Sequence, residues 1–434
     1  MRELLLAACI AYVLGGMVVS WSVMPQVAPG VFSGIGVGAL VVCSVLTRSW
    51  SRVDRPLLIA IITYLALYII GTYVSYALTG AKNAERWGLL SANATVLGVG
   101  LLYFLAGAAL AAERRWGVPA GLIAACGIVV SFVLAYWDEL TSARTAFGQL
   151  MDGVVYEYQQ IGDSFALSAL ALMGVWQLRS RRVGRAAMPQ ALGFVALSIV
   201  VLFVNPSRSA AFLGASCLLL ALVLRTLVLR TRGRWRTGLI AGLLVGAAVL
   251  AMQPASELAG GSRFGSLSDG RIEEVSVEGR EAILEHGWQA ITEHPLTGEW
   301  ALDLERMGVS GLHVHNALDI WAQAGIVPFI AFLVVWALVI DKFFSGWRSS
   351  PRCYGAALPL LAFALLSWVT SRHAAYILPF VGLGFFAATV ARVESRDRRT
   401  RAGPGGSSYC GPDSSNPAPV PAIAPSAGRP PLGR

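Results

Sequence analysis

The chain has 434 residues, of which 56% are hydrophobic and 14% charged, and Lys plus Arg outnumber Asp plus Glu by 34 to 25. A soluble globular protein carries about 25% charge. This balance, with apolar stretches of spanning length recurring along the chain, excludes an ordinary one-core soluble domain. In such a chain the basic excess holds loops on the cytoplasmic side and gives no reason to invoke nucleic acid.

Apolar stretches lie near 4–24, 28–46, 57–79, 89–111, 117–137, 164–178, 188–204, 209–229, 236–252, 317–341, 354–370 and 375–392. None alternates as a strand would, and a helix satisfies its own backbone groups in lipid. The expected fold is therefore all-α: a polytopic integral membrane protein of about twelve transmembrane helices. Leu6-Ala7-Ala8-Cys9 has the look of a lipoprotein cleavage site. Too few apolar residues precede it for a signal peptide, so the first stretch is read as a span. The expected organisation is helices one to nine over 1–252, a periplasmic loop over 253–316, helices ten to twelve over 317–393 and a tail over 394–434. That tail starts with basic ESRDRRTR and becomes rich in Gly, Ser, Pro and Ala, a composition that builds little core.

With the N-terminus in the cytoplasm, the loops TRSWSRVDR, ERRWG, LRSRRVGR, RTLVLRTRGRWR and DKFFSGWRSSPR fall inside. Together with both termini the inside holds 25 of the 34 Lys and Arg, and the outside nine, as the positive-inside rule expects. This points to a multi-pass membrane protein with both termini cytoplasmic. All five histidines, His286, His294, His313, His315 and His373, then face the periplasm. The cysteines lie outside the external loops, so no external disulfide is indicated.

The long loop opens with polar, glycine-rich MQPASELAGGSRFGSLSDG and changes character at GREAILEHGWQAITEHP. There Ile283, Leu284, Gly287, Trp288 and Ile291 follow helical spacing, which predicts an amphipathic helix ending before Pro295, with PLTG as a turn. The loop ends in GLHVHNALDIWAQAG. His315, Asp319 and Gln323 are spaced by four and would share a face if a helix begins by His315. Asp319 could orient His315, or accept a hydrogen bond at the helix start. His313 or His315 could instead cap the helix together with Asn316. Gly325, Val327 and Pro328 predict a break in span ten. NPSRSAA leaves Arg208 at an outer boundary, where a guanidinium either snorkels or binds an anion. Arg372 and His373, in the short loop before span twelve, are a weaker pair of the same kind.

Taken together, these pieces resemble the O-antigen ligase and polymerase superfamily of membrane glycan transferases. The resemblance rests on the multi-span layout, the Ser-Arg element at Arg208, and GREAILEHGWQAITEHPLTG followed by HVHNALDIWAQAGIVPF. It covers most of the membrane region but not the tail. One departure is Glu299-Trp300 after PLTG, where the family tends to continue with a small or apolar residue and another glycine. The resemblance implies transfer of a glycan from an undecaprenyl-diphosphate carrier to an acceptor hydroxyl, with lipid A–core the leading acceptor and another lipid-linked glycan the alternative. It implies Arg208, Arg280 and His315 as catalytic residues, no metal and no cofactor. His313, Asn316, Asp319, Arg372 and His373 are expected to bind substrate or position these groups, with membrane lipids as the surrounding partners.

The residues suit that chemistry. A departing diphosphate builds negative charge, which guanidinium forks match bidentately, and an acceptor hydroxyl must lose a proton, for which histidine is the natural base. Taken alone, Arg280 also fits a surface pair with Glu281 or Glu285. His313, His315 and Asp319 could also supply three metal ligands. An O-antigen or exopolysaccharide polymerase is the first alternative reading. A membrane transporter is the alternative of another class. Against the transporter, most charges sit at predicted boundaries and the chain shows no two-half symmetry.

Overall fold

The computed structural model describes residues 1–17, 19, 29–78, 84–113, 115–135, 157–179, 187–204, 208–228, 284–300, 316–370 and 376–402. Among them there is no strand. The helices are α1 (Arg2–Ala11), continued by a π-helical turn over Tyr12–Gly16, α2 (Pro29–Thr47), α3 (Arg55–Leu78), α4 (Ala84–Ala112), α5 (Gly117–Ala135) and α6 (Glu157–Arg179). They continue with α7 (Ala187–Val204), α8 (Arg208–Val228), α9 over 284–293, α10 (Leu318–Ala324), α11 (Ile326–Trp347), α12 (Pro351–Thr370) and α13 (Pro379–Ala402). Each expected apolar stretch overlaps a described helix except 236–252, which lies outside the described residues. Among the described residues, five helical segments are long and apolar enough to cross a membrane: Arg55–Leu78, Gly117–Ala135, Gln160–Arg179, Ile326–Trp347 and Pro351–Val369. The protein is membrane-embedded and all-α.

Two differences from the sequence expectation have local causes. The stretch expected over 164–178 is the longer helix α6, and its spanning window is the most enclosed of the five, with 89% of it buried. Asp163, Ser164 and Ser168 lower its hydropathy, yet all three are buried inside the bundle. The last helix runs to Ala402 rather than ending at the expected 393 boundary. Past that point Glu394 accepts from Lys342 Nζ at 2.7 Å and lies 3.5 Å from Arg398, one helical turn on.

Packing depends on small residues, as it must where lipid is as apolar as the side chains. The most extensive contact is α4 on α13. There, a Cβ on Gly384 would overlap the Phe104 carbonyl and one on Gly107 would overlap Val381 O. Helix α6 sits between α5, α8 and α12, while α3 packs along α10 and α11.

The bundle has two unlike ends. At one, Glu113 lies 3.6 Å from Arg2 and 3.8 Å from Arg52, Arg115 pairs with Glu3 at 3.4 Å, and Arg179 donates to the Glu113 and Arg115 carbonyls. Lys342 bridges Asp54 and Glu394 at this same end. We call it the basic end. The other end receives the finish of α3, the start of α6 and the junction of α10 with α11.

Candidate functional site

At that far end the loop helix and the broken span are built into each other. Helix α9 turns Gly287, Ala290 and Ile291 inward and packs Ile291 on Ala322, with Leu318 and Trp321 alongside. The buried face is narrower than the sequence spacing suggests. Leu284 and Trp288 stand on its edge and are exposed, Trp288 at 55%, so Trp288 does not pack in the interior. Ile283 lies outside the described residues. As expected, the helix gives way before Pro295, and a turn follows in which Gly298 N–H donates to His294 O at 2.8 Å.

The expected break in span ten falls at Gly325, whose φ of 85° and ψ of 178° separate α10 from α11. That backbone region is essentially closed to residues with a Cβ. A Cβ there would also meet Leu296 O, from the turn after α9. The reverse holds for Gly298, with φ of 67°: its Cβ would lie 2.6 Å from Gly325 N and 2.7 Å from Ala324 N. The two glycines are required by each other.

Breaking a helix frees backbone groups that lipid cannot satisfy. Here the turn satisfies them. Ala322 O, near the end of α10, accepts from Glu299 N–H at 2.6 Å. Ile326 N–H, at the start of α11, donates to Pro295 O at 3.2 Å, and Trp321 Nε1 donates to the same carbonyl at 2.9 Å. Trp300 N–H then reaches Ser75 Oγ on α3 at 2.7 Å, and the Trp300 side chain is buried. The Glu299-Trp300 departure noted in the sequence is thus the segment that docks the turn on α10 and α3.

Helix α10 begins at Leu318, within one residue of the expected 317, so the condition set for a face through His315, a helix beginning by that residue, is not met among the described residues. Asn316 Oδ1, rather than Asp319, takes the helix-start bond, from Leu318 N–H at 2.8 Å. Asp319 is 1% exposed and its Oδ1 accepts from Gln323 Nε2 at 2.6 Å, so these two positions share a face. Tyr64, on α3, is enclosed nearby: the Asp319 charge reaches it, and its hydroxyl has no partner among the described residues.

Arg208 is the first residue of α8; its side chain, with Arg280, His313, His315, Arg372 and His373, lies outside the described residues. Two residues absent from the sequence reading also belong to this end. Asp163 is 0% exposed in α6 and its Oδ2 accepts from the Tyr376 hydroxyl at 2.6 Å, three residues before α13 begins. An acid at the very edge of an apolar stretch was the available signal, since intramembrane carboxylates mark pathways and sites. Glu293, His294 and Glu299, around the same turn, offer ligand atoms within 4.8 Å of one another and form a group able to hold a cation. This group differs from the His313, His315 and Asp319 set considered from sequence. His286 is half-buried on α9, with Nδ1 unpartnered among the described residues.

Comparison with known proteins finds no matching family model, no matching curated protein and no matching solved structure.

Proposed function

We propose that the protein is a glycan transferase of the O-antigen ligase type, acting at the periplasmic face of the bacterial inner membrane. One observation carries the reading: the turn after α9 completes the break between α10 and α11. The described parts of the two motifs on which the family resemblance rests are therefore joined by backbone contacts. That junction has Asn316 and the buried Asp319 on one side and the loop helix that follows Arg280 on the other. The apolar groove between α3 and α11, lined by Ile59, Leu67, Val327, Ile330 and Val334, runs from it along the bundle and suits a lipid chain.

In this reading the far end of the bundle is periplasmic and the basic end cytoplasmic, with twelve spans in all. Arg208 and Arg280 hold the diphosphate oxygens of the undecaprenyl carrier. His315 takes the proton from the acceptor hydroxyl as its oxygen bonds to the anomeric carbon. The bond from that carbon to the diphosphate breaks, and the departing anion is stabilised by the two guanidinium groups. His313, Arg372 and His373 bind donor or acceptor around these groups. Lipid A–core is the leading acceptor; extension of a second lipid-linked repeat would make the protein a polymerase.

Reconstitution with a defined undecaprenyl-diphosphate glycan tests the reading, with lipid A–core and a second lipid-linked repeat offered separately. Product with one acceptor alone assigns the class. Arg280→Ala and His315→Ala are expected to keep normal membrane abundance and lose nearly all transfer, while Arg208→Lys loses it because a point charge cannot replace the fork. Full transfer by His315→Ala removes the general-base assignment.

A transporter reading draws on one feature, a discontinuous helix with a buried carboxylate on its short half. Ion-coupled uptake into proteoliposomes, with no glycan product formed, would select it.

A further inference from the structure

The basic end holds a charge that its ion-pair networks do not account for. Arg225 lies in the last turn of α8 and is 1% exposed. Its guanidinium carbon sits 4.4 Å from the centroid of the Trp176 ring, on α6. That contact covers one face of the cation but accepts none of its hydrogen bonds. Nε, Nη1 and Nη2 are all enclosed without a hydrogen-bond partner among the described residues. The neighbouring charge is another cation, Arg352, at the start of α12. Arg352 is anchored on the residue beside Trp176: its Nε and Nη2 donate to Gln177 O at 3.2 and 3.1 Å, and Gln177 Nε2 donates back to Arg352 O at 3.4 Å.

A snorkelling arginine places its head in water, which an exposure of 1% excludes. A buried guanidinium must be compensated, since burial without an opposite charge is among the costliest arrangements a fold contains. Elsewhere at this end the acids supply compensation: Glu113, Asp54 and Glu394 each meet a basic group. Around Arg225 no described carboxylate does so. Two guanidinium groups fixed on one turn of α6, at the membrane boundary, make a receptor for an oxyanion with several acceptor oxygens.

We propose that Arg225 and Arg352 form a binding site for a phosphate oxyanion, at the end of the bundle opposite the candidate transfer site. A phospholipid headgroup and free phosphate share this chemistry, and the test separates them. The full-length protein is extracted in mild detergent, and its bound lipids are read by native mass spectrometry. It is then delipidated and its Tm measured with phosphatidylglycerol, phosphatidylcholine or inorganic phosphate added in turn. The wild type is expected to retain anionic lipid and to gain several degrees from phosphatidylglycerol but not from phosphatidylcholine. An equal gain from inorganic phosphate identifies a soluble oxyanion as the ligand of the same site. Arg225→Met, which replaces the cation with an apolar chain of similar length, is expected to lose the gain. Without anion it should match or exceed the wild type in Tm, because the uncompensated charge is gone. Arg352→Gln should weaken the response with the fold intact. A wild type that retains no anionic lipid, and whose Tm is indifferent to both phosphates, overturns the proposal whatever the variants do.

Discussion

Asp319 shows how a single side chain ties the candidate site to the stability of its support. Its carboxylate is 1% exposed and bonded to Gln323 within one helical turn, on a helix of only seven residues. So short a helix depends on its tertiary contacts rather than on propensity. Asp319→Asn keeps an acceptor for Gln323 and is expected to leave Tm close to the wild type while lowering glycan transfer. Asp319→Leu removes the acceptor and should destabilise by about 1–3 kcal/mol, seen as a lower Tm in detergent. Equal Tm values for the two variants would show that the Gln323 bond contributes nothing. The i, i+4 spacing of these residues was legible in the sequence. So were the start of α10, to within one residue, and Asn316 as a cap; which oxygen takes the first helical amide was not, because Asn316 and Asp319 both offer one. Asp163 and Tyr376 were illegible as a pair for a different reason: they are 213 residues apart, and nothing local in either segment names the other.

At the scale of elements, hydropathy and breaker residues located the helices, the loop helix, its end before Pro295 and the interruption at Gly325. They did not reveal that the last two are the same event. The interlock is backbone to backbone, and backbone contacts leave only glycines as their trace. Gly325→Ala is expected to cost upwards of about 1–3 kcal/mol from φ alone, and more from the overlap with Leu296 O. The turn should separate from α10, raising protease cleavage near 294–300 and abolishing transfer. Unchanged proteolysis and activity in Gly325→Ala would remove the interlock as the organising feature of the site. The exposed Trp288, by contrast, leaves room for change, and the burial of the opposite face accounts for the narrower stripe seen on α9.

Across the whole molecule, charge segregation is the strongest regularity. Residues that the positive-inside rule assigns to one side, among them Arg2, Arg52, Arg115, Arg179 and Lys342, meet in ion pairs and backbone bonds at one end of the bundle. Sequence arithmetic could sort these residues by side but not match them into pairs. The tail beyond α13 is expected to be dispensable. Truncation after Ala402 keeps the Glu394 contacts to Lys342 and Arg398, and transfer should stay near the wild-type level when normalised to protein abundance. Complete loss would give the tail a role that its composition does not suggest.

The completed break also has an order in time. Pro295 and Glu299, whose carbonyl and amide finish the interrupted helix, precede Ala322 and Ile326 in the chain. Synthesis runs in that direction, so both partners have left the ribosome before the gap they close has been made. The carbonyl and amide that complete the break in 318–347 are therefore made before the break itself.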